Sequence, residues 1–167
     1  MTLLTILTLP DKRLKTIAKP VTVFDQKLQE FANNMLDTMY EAPGIGLAAT
    51  QVDKHIQLVV IDISEEKNQP LCLVNPKIIQ KEGVQIHEEG CLSVPGIYAK
   101  VKRASTIEVK YFNEKGEKKK MQADELLAVC IQHEIDHLNG VVFLDHLSPL
   151  KRKMAIKKLE KEAEISD

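Results

Sequence analysis

Gln132-His133-Glu134-Ile135-Asp136-His137 holds a His-Glu-x-x-His pattern on a segment whose apolar residues recur at helical spacing. At about 100° per residue, His133 and His137 stand one turn apart on one helix face. Two imidazoles placed that way can bind one metal ion, with Glu134 beside them in reach of a water held there. Ordinary helices also carry two histidines by chance. A catalytic site usually takes three ligands from the protein, so the rest of the chain must supply the third.

The helix around the motif is expected to begin near Asp124 and to end at Asn139-Gly140, where glycine can stop it. Leu126, Leu127, Val129, Cys130 and Ile131 make it apolar nearly all round, so it belongs in the interior. Charged Glu134 and Asp136 on such a helix need partners, which favours a working site. Outward from there, Lys118-Lys119-Lys120 reads as a solvated edge strand, joined through the turn Asn113-Glu114-Lys115-Gly116 to extended chain over 97–112. Apolar runs at 56–63 and 71–79 read as strands, the second bent or ended by Asn75-Pro76. Asp25 can cap a helix running to about Glu41, and a short helix is expected within 11–19. Beyond the motif, 141–144 reads as extended. Ser148-Pro149 then opens a last, charged helix with a thin apolar stripe.

The 167 residues suit one domain over 1–167, with no repeat or linker. A hydrophobic share of 44% and a charged share of 28% are those of a globular protein, and no apolar run reaches the ~20 residues of a membrane span. The net charge of -1 argues against strong binding to nucleic acid. Three scattered cysteines and no leader-like N-terminus point to a reducing, cytoplasmic setting with thiols free or metal-bound.

Cys130 shares the helix face of the two histidines, but it lies about 7 Å along the axis from their midpoint, too far for a thiolate. A third histidine three residues past Gly140 would complete one protease pattern; Phe143 stands there. A glutamate from the last helix (Glu160, Glu162 or Glu164) would make the chain a metalloprotease, and stays as the alternative. Cys91, in Glu89-Gly90-Cys91-Leu92-Ser93, is the best candidate, completing Cys/His/His with one position open.

Gly44-Ile45-Gly46-Leu47-Ala48-Ala49-Thr50-Gln51, Glu89-Gly90-Cys91-Leu92-Ser93 and His133-Glu134-Ile135-Asp136-His137 together resemble peptide deformylase of the bacterial type, over nearly the whole chain. The resemblance implies an α+β fold of antiparallel sheets around a central buried helix carrying the motif, plus a C-terminal helix. It implies hydrolysis of the N-formyl group from formylmethionine at the start of nascent polypeptides, releasing formate. It assigns Cys91, His133 and His137 as ligands of one divalent ion, ferrous iron with zinc, nickel or cobalt able to substitute. Glu134 becomes the general acid and base, with Gln51 and the Leu92 amide as oxyanion donors. Gly46 would contact substrate through its backbone, while Ile45, Leu126, Val129 and Cys130 would line the methionine pocket. Glu89 and Arg103 would form a buried pair near the metal. The last helix resembles the one with which bacterial members work beside the ribosomal exit tunnel. Two positions depart from the family: Thr50 replaces a frequent proline, and His87 replaces an aliphatic residue at the pocket mouth. His87 either alters preference after the methionine or points to solvent; the second is the expectation.

Overall fold

The computed structural model describes residues 2–166, and the side chains of 2–162. In chain order the elements are α1 (Gln26–Glu41), β1 (Gly46–Ala48), β2 (Leu58–Ile61), β3 (Leu71–Glu82), β4 (Gln85–Cys91), β5 (Val94–Arg103), β6 (Thr106–Phe112), β7 (Lys118–Asp124), α2 (Glu125–Leu138) and α3 (Pro149–Ser166). Every strand pair is antiparallel. Five strands form one sheet in the order β1-β2-β3-β6-β7, and β4 pairs with β5 as a separate ribbon. The expected α+β fold, with the motif helix inside and a helix at the C-terminus, is the observed one.

Period-two alternation along β2 shows why α2 is central. Val59 and Ile61 face α2, packing with Ala128 and Ile131, while Leu58 and Val60 face α1, packing with Leu28, Met35 and Met39. All four β2 side chains are fully buried, so the strand reads as an unbroken apolar run. A third cluster joins Val94, Ile97 and Val101 of β5 to Phe143 and Leu144, with Ala155 and Leu159 of α3 packed against it.

Asp25 caps α1 by accepting from the Leu28 N–H at 3.0 Å. The Lys118–Lys120 run lies exposed on β7, at the outer edge of the sheet, as its charge requires. Ser148 Oγ accepts from the Lys151 N–H at the start of α3. Of the two expected outcomes at Asn75-Pro76, the strand is bent and not ended: Asn75 takes φ +51° in a bulge, and its side chain holds Val21 through two hydrogen bonds of 2.8 and 2.9 Å. Two expectations need correction. The segment around 141–144 is extended at Val142 and no further, because Phe143–His146 coils into a 3-10 turn. The helix expected within 11–19 is a single 3-10 turn, Lys12–Lys15.

Candidate metal centre

Cys91 is the last residue of β4 rather than part of a loop, and Leu92-Ser93 form the two-residue turn into β5. Strand alternation sets Gln85, His87, Glu89 and Cys91 on the inward face, while Ile86, Glu88 and Gly90 are exposed. α2 supplies the opposite wall with His133 and Glu134 and sets His137 behind it, all three buried. Gly140 ends that helix at φ +74°, where an added Cβ would sit 2.5 Å from the Lys15 carbonyl oxygen.

Cys91 Sγ lies 3.2 Å from His137 Nε2, which lies 3.2 Å from His133 Nε2, and the three atoms are all within 4.8 Å of one another. A tetrahedral ion with bonds of ~2.0–2.1 Å to nitrogen and ~2.3 Å to sulfur holds its ligands about 3.3–3.7 Å apart. The donor set therefore fits a divalent metal in both spacing and chemistry. Burial holds the His137 ring well below the usual imidazole range, keeping it in the neutral form that ligates. At His133 burial acts the same way, but the charge of Glu134 and hydrogen bonds to Cys91 and Glu89 outweigh it, so this ring is pushed up instead. Cys130 is outside the cluster, and burial drives its thiol far up, away from the thiolate that a metal needs. Glu160 and Glu162, the described candidates for a glutamate ligand, are exposed on α3. The Glu164 side chain lies outside the described residues.

Glu134 is buried beside the cluster with its Oε1 unpaired, and burial raises its carboxyl to about 7. Its other oxygen occupies the space over Gly46, where a Cβ would come within 2.5 Å of Oε2. Gln51 Oε1 accepts the Ala48 N–H at 2.9 Å, which turns Nε2 toward Ser93 Oγ (3.0 Å) and Cys91 Sγ (3.5 Å). A cleft of about 690 Å³ opens here, and Ile45, Gly46, Gln51, Cys91, Leu92, Leu126, Val129, Cys130, His133 and Glu134 all line it. His137 alone of the expected site residues lies behind the wall, fully buried. His87 does not simply point to solvent: it is half-buried on the cleft wall, and its Nδ1 is buried.

The sequence model of the polypeptide deformylase family matches residues 3–153. This chain belongs to that family. A peptide deformylase of Pseudoalteromonas translucida is 56% identical over all of both chains. Peptide deformylase 2 of Xanthomonas axonopodis pv. citri is 58% identical over 97% of each. Among solved structures, a peptide deformylase from Legionella pneumophila superposes with a TM-score of 0.95 at 49% identity, covering 99% of this chain and 98% of that one. One from Ehrlichia chaffeensis in complex with actinonin gives 0.93 at 41%, covering 97% and 98%. The family is metal-dependent, and in this member the Cys91, His133 and His137 cluster can hold the ion.

Behind the metal ligands of this deformylase runs an ionic chain, buried at His133, Glu89 and Arg103 and reaching the surface at His146. His133 Nδ1 lies 2.9 Å from Glu89 Oε1, Arg103 donates to both Glu89 oxygens at 2.8 Å, and its third nitrogen donates to Asp136 at 2.6 Å. Asp136 in turn lies 2.8 Å from His146 Nε2. Burial pushes the Glu89 carboxyl up, but the hydrogen bonds from Arg103 and His133 outweigh it and hold it near 2. As a carboxylate it accepts from Nδ1–H, so that a ring which gives up its other proton to a metal ligates through Nε2. Glu89 and Arg103 stand as the resemblance placed them. Asp136 and His146 were not foreseen as members; the clue was a carboxylate on a helix otherwise apolar. Arg103→Ala is expected to lose about 3–5 kcal/mol in urea unfolding, since it strands a buried carboxylate, and to weaken metal binding about 10–100-fold in a chelator titration. A loss under about 1 kcal/mol would rule out a structural role for the chain.

Proposed function

We propose that this chain, as a single catalytic domain over 1–167, removes the formyl group from N-formyl-methionyl peptides, releasing formate and a free amine. The observation that carries this reading is the Cys91, His133 and His137 cluster beside a buried glutamate in the cleft of a deformylase-family chain. A divalent metal held there supplies Lewis-acid chemistry, lowering the pKa of water and polarising a carbonyl. Glu134, whose carboxyl lies near neutrality, takes a proton from the attacking water and hands it to the departing amine nitrogen. As water adds to the formyl carbon, charge gathers on the formyl oxygen. The Gln51 Nε2–H and the Leu92 backbone N–H donate to it. Gly46 lets the substrate backbone lie close to Glu134, and Ile45, Leu126, Val129 and Cys130 receive the methionine side chain.

The resemblance to the family leads us to assign ferrous iron as the working ion, with zinc, nickel or cobalt as substitutes; thiolate plus two imidazoles suits all four. A cytoplasmic setting is supported by three cysteines free of disulfides, and no described helix is long and apolar enough to cross a membrane. The proposed docking of α3 beside the ribosomal exit tunnel is supported by its cations Lys151, Arg152, Lys153, Lys157, Lys158 and Lys161, which suit a phosphate-rich surface. The test is anaerobic: formate release from a formyl-Met peptide, measured together with metal content. About one metal per chain with stoichiometric formate is expected. Cleavage of internal peptide bonds without formate would overturn the reading in favour of a metalloprotease.

A further inference from the structure

His87 lines the cleft together with the aliphatic side chains Leu126 and Val129 that are assigned to the methionine pocket. It stands on the inward face of β4, four residues or ~13 Å before Cys91. Across the cleft, Leu126 and Val129 precede His133 on α2 by ~10 and ~6 Å along the axis. The imidazole therefore meets the cleft at the end away from the metal, where the tip of a methionine side chain would lie. Its Nδ1 is buried with no partner, so a proton there would be an unsatisfied donor. The tautomer with its proton on Nε2 leaves Nδ1 bare and puts an N–H, with no partner among the described residues, on a side chain that lines the cleft.

A thioether makes poor use of that donor, because its sulfur is a weak acceptor. The S–O group of methionine sulfoxide is a strong one, and the oxidised side chain has nearly the shape of the parent. In a wholly aliphatic pocket the sulfoxide oxygen would give up water for nothing, and it would be rejected. We propose that His87 extends the substrate range of this deformylase to N-formyl-methionine sulfoxide peptides, by hydrogen bonding to the sulfoxide oxygen through Nε2. This rests on the deformylase reading of the site. It needs no redox step, since the substrate arrives oxidised and the bond broken is still the formyl amide.

The experiment compares kcat/KM for formyl-Met-Ala-Ser with that for each of its two sulfoxide epimers, in the metal-loaded wild type, His87→Leu and His87→Gln. The readout is the sulfoxide-to-thioether ratio within one protein, so any general change in activity cancels. For at least one epimer the ratio is expected to fall about tenfold in His87→Leu, as one lost hydrogen bond implies, and to recover in His87→Gln, which keeps a donor. A ratio equal in wild type and His87→Leu would overturn the role of His87 while leaving the deformylase reading intact. Failure of the wild type to release formate from formyl-Met-Ala-Ser would instead overturn that reading.

Discussion

Glu134→Ala is expected to keep its metal and to lower kcat on a formyl-Met peptide about 10²- to 10⁴-fold, the range of a lost general acid and base. The carboxylate is not one of the three atoms that converge on the metal position, so the donor set survives its removal. What goes is the group that carries a proton from water to the leaving nitrogen. Burial that raises this carboxyl to about 7 also fits it for both halves of that transfer near neutral pH. Glu134→Gln fills the same space over Gly46 without the ability to take a proton, so it should be as slow as the alanine variant. Metal content by elemental analysis and single-turnover formate release provide the check. Turnover within tenfold of wild type for either variant would remove Glu134 from the chemistry.

Cys91→Ala is expected to lose the ion and with it all measurable formate release, whereas Cys130→Ala keeps about one metal per chain. The two thiols line one cleft but differ in what they face. Cys91 Sγ is 3.2 Å from one imidazole and near the Gln51 amide and Ser93 N–H, donors that suit a thiolate. Cys130 sits in the apolar cluster between α2 and the sheet, where burial favours the neutral thiol. Elemental analysis of both variants after identical anaerobic loading settles the assignment. Metal retained by Cys91→Ala, or lost by Cys130→Ala, would reverse it.

Local chemistry made much of this legible beforehand. The α2 limits followed from its apolar girth and from Gly140, which must adopt positive φ; the exposed β7 edge followed from three consecutive lysines. Helical spacing argued against Cys130, and the resemblance to the family assigned Cys91, His133 and His137, whose donor atoms the structure brings within 4.8 Å of one another. What escaped depended on contacts between distant segments. β3 continues through Asn75-Pro76 because the Asn75 side chain takes up the backbone of Val21, 54 residues away. Cys91 ends a strand because β5 pairs with it, and no residue near Cys91 announces that pairing. Asp136 and His146 meet only after the Phe143–His146 turn brings the chain back under α2, so their link to Arg103 has no local signature.

The ligand cluster also joins two parts of the molecule, since Cys91 and His137 are 46 residues apart and belong to a hairpin and to the central helix. An ion held by both acts as a removable cross-link between the β4–β5 ribbon and the main core. Because the unfolded chain offers no such site, occupancy adds directly to folding stability, about 2.7 kcal/mol at a hundredfold excess over Kd. A chelator should therefore lower Tm as well as stop turnover. In a chain emerging from synthesis, the site cannot close until His137 has been made, so acquiring the metal becomes a late step of maturation.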